Sequence, residues 1–321
     1  MYREHVVAAV VPAYNEEAHI ADVVATMPSI VDHIVIVDDV STDSTPQVIA
    51  DLDDPRVEPI RHDINQGVGG AIITGHKQAM ALGADINVVF AGDDQMDPAH
   101  LTDLLDPVID EGLGYVKGNR FYSIGSWSGM PRSRIFGNVV LSFLTKVASG
   151  YWNLFDPSNG YTAITRHTLE SLDLDAIAKR YDFETDMLIN LNIVDTPAAD
   201  VPIPARYGTE VSTLKIRKVM PRLLRRLFTG FWRRIFLKYV IRSFSPVALL
   251  LFAGIAMVTW GVGFGIWVIA NTLGPATAST GTVILSVIPF LIGVQFLTSA
   301  LVLDIQASPD RPMRLGRAPK S

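Results

Sequence analysis

The sequence predicts an α/β fold with a mostly parallel, doubly wound sheet, followed by a basic amphipathic segment and a helical membrane hairpin. Three observations support this prediction. Strand and helix signals alternate over the first 120 residues, which indicates a parallel sheet with right-handed crossovers. Two long uncharged runs lie near the carboxyl terminus, and the net charge changes sign before them. At 321 residues, we expect one large domain or one domain with an appendage.

Short apolar, β-branched runs mark the predicted strands, because strands buried on both faces are almost continuously hydrophobic. These runs cover Val6–Val11, Ile34–Val37, Val57–Ile60, Ile86–Phe90 and Tyr115–Lys117, with a further strand around Ala199–Ile203. Helices are predicted after Glu16, after Ser44, from about Gly70, from about Pro98 and around Phe136–Ala148. Pro46 suits the first turn of the second helix.

A basic amphipathic helix is predicted after this domain. Leu223, Leu227, Phe231 and Ile235 repeat every four residues, with arginines distributed among them. Such a helix fits the membrane interface. A helix that packs against the preceding domain is the alternative, although it would usually carry acidic residues as well.

Two apolar runs are long enough to cross a bilayer as helices. Pro246 to Ala270 is 25 residues without a charge and Val283 to Leu303 is 21, whereas a hydrocarbon core of roughly 30 Å needs about 20 residues. Residues 271–282 connect the runs. We therefore predict an α/β domain at 1–211, a juxtamembrane segment at 212–244, two spans within 245–304 (about 246–270 and 283–303) and a tail at 305–321.

The charge distribution predicts the orientation of this hairpin. Residues 1–211 hold 13 Lys and Arg against 31 Asp and Glu (net −18), and residues 212–321 hold 14 against 2 (net +12). Basic residues beside a span mark the cytoplasmic side, so we expect a plasma-membrane protein with its catalytic domain and both termini in the cytoplasm. The absence of cysteine excludes disulfides and thiolate metal sites. No cleavable signal peptide is expected, because the amino terminus enters a strand pattern directly.

Polar side chains follow the strand at 86–90. Asp93, Asp94, Gln95 and Asp97 leave its carboxyl end, where open α/β sheets bind ligands. Hard oxygen donors there suit Mg²⁺ or Mn²⁺ held against a diphosphate. The alternative is a solvated loop in which Pro98 begins the next helix.

Two other strands also end in polar motifs. Tyr14 and Glu16 could hold a nucleobase and ribose, or could belong to an ordinary turn with an acidic first helical turn. Asp38 and Asp39 stand where an acid commonly accepts hydrogen bonds from ribose or base. Capping of the next helix by Asp and Ser is the alternative there.

A glycine-rich turn and several arginines complete the candidate site. The glycines of residues 65–70 allow close backbone approach at a helix start, which attracts anions. Cations stand at Arg120, Arg132, Arg134 and Arg206 in an otherwise acidic domain. Arginine clamps phosphate oxygens well, although each of these could instead be solvated or ion-paired.

The order of these motifs resembles family 2 glycosyltransferases of the GT-A fold, in the branch that loads sugars onto polyprenyl or dolichyl phosphate, such as dolichyl-phosphate mannose and glucose synthases. Pro-Ala-Tyr-Asn-Glu at 12–16, Asp-Asp-x-Ser-x-Asp at 38–43, Asn-x-Gly-x-Gly at 65–69 and Asp-x-Gln at 93–95 occur in family order. The resemblance covers residues 6 to about 215, and the hairpin is similar to that of membrane-anchored members.

The resemblance implies a role for each group of residues. The nucleotide-sugar would be bound by Pro12, Ala13, Tyr14, Glu16, Asp38, Asp39, Gly67, Gly92 and Asp93. Asp93 and Gln95 would ligate Mg²⁺ or Mn²⁺. The acceptor phosphate would meet Arg120, Arg132, Arg134, Arg206 and Ser212, and the catalytic residues would be Asp93, Arg120, Arg134 and Arg206. The family often reads Asp-Ala-Asp-x-Gln, and here Ala91 replaces the first acid; whether Asp94 compensates is open.

The implied reaction is inverting, metal-dependent transfer of a hexose from a nucleotide-sugar to a lipid phosphate at the cytoplasmic membrane face. A phosphate monoester is mostly a dianion at pH 7 and needs no strong base to attack. The missing acid at Ala91 favours a UDP-sugar, with GDP-mannose still open. The alternatives are a processive polysaccharide synthase, which usually carries a Gln-x-x-Arg-Trp motif absent here, and a non-catalytic nucleotide-sugar-binding module. No nucleic acid partner is expected, and a two-span anchor suits a homo-oligomer.

Overall fold

The computed structural model describes residues 1–93, 95–121, 132–156, 159–204, 216–272 and 277–309, with the backbone alone for 132–134 and 216–219. The chain forms two compact units. The first comprises Met1–Phe231 together with the segment from Pro309, and the second comprises Trp232–Ser308.

A seven-stranded, mostly parallel sheet forms the centre of the first unit, as predicted. Its strands are β1 (Val7–Ala13), β2 (His33–Asp38), β3 (Val57–Arg61), β4 (Ile86–Val89), β5 (Tyr115–Asn119), β6 (Thr162–Thr165) and β7 (Ala198–Pro202). The strand order is β3-β2-β1-β4-β6-β5-β7. β6 was not predicted; it lies antiparallel between β4 and β5 and has only four residues.

The helices of the first unit follow the predicted alternation. They are α1 (Ile20–Ala25), α2 (Thr45–Ala50), α3 (Val68–Ala81), α4 (Leu101–Asp110), α5 (Arg132–Ser149), α6 (Arg166–Glu170), α7 (Phe183–Ile193) and α8 (Ile216–Arg234). The last of these, α8, continues past Phe231 into the second unit, and a π-helical stretch, Ile235–Arg242, follows it. It contains the predicted basic amphipathic stretch, but the predicted apolar row at Leu223, Leu227 and Phe231 packs with residues of α5 and α7. For this row the alternative, a helix packed on the preceding domain, is therefore the correct one. The predicted helix around 136–148 lies within α5.

Alternate residues of β1 enter two different hydrophobic layers, because successive side chains of a strand point to opposite faces. Val7, Ala9 and Val11 belong to the layer that includes residues of α1 and α4. Ala8 and Val10 belong to the layer that includes residues of α3. A strand buried on both faces in this way must be apolar throughout, which explains the continuous run in the sequence.

Helix α3 packs closely on strand β1, and this contact positions the helix on the sheet. A Cβ built on Gly75 would lie 2.3 Å from the Val10 Cγ1 atom, so only glycine allows the helix to approach the strand this closely. The amino terminus of α3, at Val68, is thereby held at the carboxyl edge of the sheet.

The second unit contains two helices that are long and apolar enough to cross a membrane. They are α9 (Pro246–Thr272) and α10 (Thr280–Gln306), and most of their surface is exposed in the chain on its own. They pair through small residues, as helices in lipid commonly do. A Cβ on Gly261 would lie 2.8 Å from the backbone nitrogen of Phe290, and the Ser286 hydroxyl donates to the Gly261 carbonyl over 2.8 Å.

A buried ion pair also stabilises this unit. The Arg234 guanidinium donates to both Asp304 carboxylate oxygens, at 2.6 and 3.1 Å, and the Tyr239 hydroxyl donates to the same carboxylate at 2.7 Å. Arg234 is fully buried. Since removing one partner of a buried pair leaves an uncompensated charge, this triad ties the residues before α9 to the end of α10.

We predict that Gly261→Ala loosens the helix pair, because the added methyl group would collide with the backbone of α10. Gly263→Ala is the matched control, since a Cβ there has no atom within 4 Å. The thermal unfolding midpoint of the purified protein in detergent should fall for Gly261→Ala and stay unchanged or rise for Gly263→Ala. Equal midpoints for the two variants would show that this contact does not hold the pair together.

Candidate functional site

A cavity of about 440 Å³ opens at the carboxyl edge of the sheet. It lies at the end of β1, which pairs with β2 on one side and with β4 on the other. The order of the strands along the chain therefore changes direction at β1. Open α/β sheets bind ligands at such a switch point. The cavity is lined by Pro12, Ala13, Tyr14, Glu16, Asp39, Asn65, Gly67, Val68, Ala71, Ala91, Gly92, Asp93, Arg180 and Tyr181.

The loop after β1 is held by hydrogen bonds to the loop after β2. The Asn15 N–H donates to the Ser41 hydroxyl at 2.9 Å, and the Asn15 side-chain oxygen accepts from the Thr42 N–H at 2.8 Å. Asn15 has a φ of 59°, in the left-handed region that asparagine tolerates better than most residues. The loop therefore presents Tyr14 at the cavity with 49% of its surface exposed.

The two acids that end β2 have different surroundings. Asp38 is buried, accepts from the Ser41 N–H at 2.9 Å and lies 3.3 Å from the Arg61 guanidinium. It is not among the residues that line the cavity. Asp39 does line it, and its carboxylate also accepts from the Gln66 and Gly67 N–H groups at 2.8 and 2.7 Å. Asp39 therefore holds the glycine-rich turn in place.

The glycines of this turn allow a close approach of the chain to itself. Gly67 has a φ of +88°, and a Cβ on it would lie 2.7 Å from the Lys179 carbonyl oxygen. A Cβ on Gly69 would lie 2.6 Å from the Phe183 side chain. The predicted close backbone approach is thus present, and its partner in the structure is the segment 179–183. This approach brings Arg180 and Tyr181 to the cavity.

The loop after β4 supplies a carboxylate to the cavity. Asp93 lines it and accepts from the Gln95 N–H at 3.1 Å, while Gln95 is exposed on the same turn and is not a lining residue. A Cβ on Gly92 would lie 3.2 Å from the Glu16 Cγ atom, so glycine lets this loop approach Glu16.

The oxygen donors near Asp93 fit a divalent ion that a ligand also coordinates. Within the described residues no group of three or more His, Cys, Asp or Glu side chains forms a site that could hold an ion unaided. Carboxylate and amide oxygens suit Mg²⁺ and Mn²⁺, and Mg²⁺ commonly takes only one or two protein carboxylates while phosphates and water complete its shell. The assignment of Asp93 and Gln95 as metal ligands stays a prediction.

Arg180 and Tyr181 line the cavity but were not predicted from the sequence. They lie more than 80 residues from Asp93 along the chain, in the segment that contacts the glycine-rich turn. The sequence does show the basic pair Lys179 and Arg180 in a strongly acidic domain. This pattern alone does not predict which strand end the pair lies near.

Arg120 is ion-paired, as one of the two interpretations predicted. Its guanidinium donates to both carboxylate oxygens of the fully buried Asp156, at 2.8 and 3.1 Å, and it does not line the cavity. Arg206, Ser212 and Asp94 lie outside the described residues, and only the backbone of Arg132 and Arg134 is described, at the start of α5. Their assignment to the acceptor phosphate stays a prediction.

A group of buried charges lies beside this ion pair on β5 and β7. The Lys117 ammonium donates to the Asn159 carbonyl, and burial lowers the pKa of Lys117. Asp200 accepts from the Phe155 N–H at 2.6 Å and from the Asn119 amide at 3.0 Å. Burial nevertheless raises the pKa of the Asp200 carboxyl to about 6, because the desolvation of the charged form outweighs these hydrogen bonds.

Comparison with known proteins identifies relatives of this chain. The sequence pattern described as "Glycosyl transferase family 2" matches residues 8–173. The UDP-N-acetylglucosamine–dolichyl-phosphate N-acetylglucosaminyltransferase of Methanococcus voltae is 35% identical over 226 residues, which are 66% of this chain and 89% of that protein. The undecaprenyl-phosphate mannosyltransferase of Micrococcus luteus is 31% identical over 61% of this chain and 82% of that protein.

A similar fold occurs among solved structures. Glucosyl-3-phosphoglycerate synthase from Mycobacterium tuberculosis, in complex with Mn²⁺, UDP and glucosyl-3-phosphoglycerate, superposes with a TM-score of 0.53 over 72% of this chain and 80% of that chain. Its sequence identity is 21%, so the likeness concerns the fold alone.

The raised pKa of Asp200 makes stability depend on pH. Between the ordinary Asp pKa of 3.8 and about 6, folded Asp200 keeps a proton that the unfolded chain has released, so stability falls as pH rises through this window. Asp200→Asn carries no such charge. The free energy of unfolding of the variant, minus that of the parent, should therefore increase by about 2–3 kcal/mol between pH 4 and pH 6.5.

Thermal unfolding of parent and variant in detergent across this pH range measures the effect. Asp173→Asn is the control, because Asp173 is an exposed acid of the same unit. If the Asp200→Asn and parent curves stay parallel in pH, Asp200 is ionised in the folded protein.

Proposed function

This chain belongs to glycosyl transferase family 2, and on that premise we propose that it transfers a sugar from a nucleotide-sugar to a polyprenyl or dolichyl phosphate at a membrane surface. One observation carries the proposal: a half-exposed tyrosine and three acids share a cavity at the switch point of the sheet, in a chain that ends in two long apolar helices. The family relatives that act on dolichyl and undecaprenyl phosphate support the choice of acceptor.

We assign the nucleoside to the part of the cavity around Tyr14 and Asp39. The half-exposed ring of Tyr14 is accessible for stacking on a base. Stacking on an aromatic ring does not depend on which base is present. The Asp39 carboxylate lies at the end of β2, where acids accept hydrogen bonds from ribose hydroxyls. Its two bonds to the Gln66 and Gly67 N–H groups fix its position before the ligand arrives.

The diphosphate would lie toward Asp93 and Arg180, an acid and a cation that line the cavity from two different loops. Arg180 can donate to phosphate oxygens and stabilise the negative charge that grows on the leaving group. Asp93, with Gln95, would hold Mg²⁺ or Mn²⁺, which supplies Lewis-acid stabilisation of that same charge when bound. We keep Asp93 as a catalytic residue on this basis.

The chemistry of the acceptor determines what the protein must do. A phosphate monoester has its second pKa near 6 and is mostly a dianion at pH 7, so its oxygen attacks the anomeric carbon without losing a proton. The carbon–oxygen bond to the nucleoside diphosphate breaks, and the electron pair leaves with the diphosphate. In-line attack inverts the anomeric centre. The remaining tasks are alignment, which is worth several kcal/mol, and charge stabilisation.

Two further assignments follow from the resemblance and the charge pattern. Arg120, Arg132, Arg134, Arg206 and Ser212 would meet the acceptor phosphate. The basic residues before and after the long apolar helices would keep the first unit on the cytoplasmic side of the plasma membrane. We favour a UDP-sugar as donor, in keeping with Ala91 and with the Methanococcus voltae relative.

The transfer is tested with the full chain, polyprenyl phosphate, Mg²⁺ or Mn²⁺, and a panel of radiolabelled donors: UDP-N-acetylglucosamine, UDP-glucose and GDP-mannose. Radioactivity should enter the lipid phase from at least one donor, and NMR should show a β-linked product from the α-linked donor. Absence of lipid-linked product from every donor would overturn the proposal.

Asp93→Asn should lower the rate of transfer at least 100-fold without lowering the thermal unfolding midpoint, because it removes a charge that lines the cavity. Asp97→Asn is the matched control: Asp97 belongs to the same loop and caps the next turn through a hydrogen bond from the Ala99 N–H, which an Asn side chain preserves. Transfer at the parent rate by Asp93→Asn would remove Asp93 from the catalytic residues.

Tyr14→Ala should weaken the binding of the free nucleoside diphosphate about tenfold, since stacking on a base is worth roughly 1–3 kcal/mol. Tyr14→Phe keeps the ring and should bind like the parent. Isothermal titration in detergent compares the three proteins. An equal loss of affinity in the two variants would show that the tyrosine hydroxyl, and not the ring, contributes to binding. Parent-like affinity in both variants would show that the base does not stack on Tyr14.

A further inference from the structure

A second cavity of about 450 Å³ lies between the start of α7 and helix α8, within the first unit. We call it the α7–α8 cleft. It is lined by Ala178, Lys179, Arg180, Asp182, Arg222, Arg225, Arg226 and Thr229. Five of these eight residues are cationic and one is acidic, in a unit whose sequence is otherwise strongly acidic.

One of the five cations has a structural role. The Arg226 guanidinium donates to Asp182 at 2.9 Å and to the fully buried Asp186 at 3.5 Å. This pairing fixes α8 against α7. The contact is close, because a Cβ on Gly230 would lie 2.3 Å from the Ile189 Cδ1 atom. One wall of the cleft is the segment before α7 and the other is α8, and these contacts hold the two together.

The other four cations of the cleft form no salt bridge in the part of the chain that the structure describes. Lys179 donates to the neutral side-chain oxygen of Gln66 at 3.1 Å. Arg180, Arg222 and Arg225 have no carboxylate within salt-bridge distance among the described residues. Several positive charges around one cavity repel one another, and an anion with several oxygen atoms relieves that repulsion. Arginine side chains are suited to phosphate in particular.

The surface of α8 beside the cleft indicates what carries this phosphate. Leu223, Leu227 and Phe231 pack toward α5 and α7. A second row of apolar residues, Leu224 and Phe228, is 46% and 66% exposed. Phe228 lies three residues after Arg225 and four after Leu224 on the same helix, so these side chains are surface neighbours and exposed apolar surface borders the cleft. This combination matches a phospholipid, with its phosphate in the cleft and its acyl chains on the apolar row.

We propose that the α7–α8 cleft binds the phosphate headgroup of an anionic membrane phospholipid, distinct from the lipid phosphate that serves as acceptor. Arg180 lines both this cleft and the cavity at the carboxyl edge of the sheet. A headgroup held by Arg180, Arg222 and Arg225 therefore orients a side chain of the sugar-donor site. Occupancy of the cleft by lipid should make donor binding depend on the charge of the surrounding membrane.

The test measures binding of short-chain phosphatidylglycerol to the full chain in neutral detergent, without donor or acceptor, so that its outcome is independent of the proposed transferase activity. Isothermal titration should show binding at least tenfold tighter than for short-chain phosphatidylcholine. Arg222→Gln/Arg225→Gln should lose this preference. Arg233→Gln/Arg242→Gln, which removes the same charge from residues outside the cleft, should keep it.

Three outcomes would overturn the proposal. Equal losses in the two double variants would mean that the lipid responds to overall charge and has no defined site. Displacement by millimolar inorganic phosphate would identify a site for free anions. Stoichiometric displacement by polyprenyl phosphate would assign the cleft to the acceptor.

A second experiment, in nanodiscs, tests the link through Arg180. The parent should bind nucleoside diphosphate at least threefold more tightly with phosphatidylglycerol than with phosphatidylcholine, and Arg222→Gln/Arg225→Gln should bind it equally in both lipids. Equal binding by the parent in the two lipids would contradict the link.

Discussion

The carboxylate of Asp39 accepts hydrogen bonds from three places at once: the His62 ring at 2.7 Å and the backbone N–H groups of Gln66 and Gly67. These bonds join the end of β2 to the chain that leaves β3 and to the first turn of α3. An ionised carboxylate accepting several N–H groups is a strong, geometrically defined anchor, and His62 in turn contacts the Thr74 hydroxyl at 2.9 Å. These bonds hold the turn at Gly67 where it contacts Lys179 and Arg180.

The parts of the fold that the sequence predicts are those whose cause is local. β1 and β2 are buried on both faces, so nearly all of their residues must be apolar. The site residues after β1, β2 and β4 could be predicted for the same reason, since strand polarity alone brings their carboxyl ends to one edge. β6 is different, because its four residues pair antiparallel with strands that precede it by at least 43 residues.

The glycine-rich turn shows how a correct local inference can have an unforeseen partner. Its composition predicts that something approaches the backbone closely, and the structure confirms the approach. The approaching group is the Lys179 carbonyl, 2.7 Å from where a Gly67 Cβ would stand. The glycines in a sequence predict that another group can approach the backbone closely. Which group does so depends on tertiary packing. Arg180 was missed because its position follows from this packing.

The pairing of Arg120 with Asp156 is compatible with a role in phosphate binding. An arginine has five N–H donors in a planar fork, and the two bonds to Asp156 use the Nε and Nη2 atoms. Because Asp156 is fully buried, its charge needs the guanidinium, and the guanidinium is thereby held in one orientation. An arginine fixed in this way loses less conformational entropy when it meets a phosphate than a solvated one does. A buried acid behind a partly exposed arginine can therefore preorganise a phosphate ligand, so the ion-paired and phosphate-binding interpretations of Arg120 do not exclude each other.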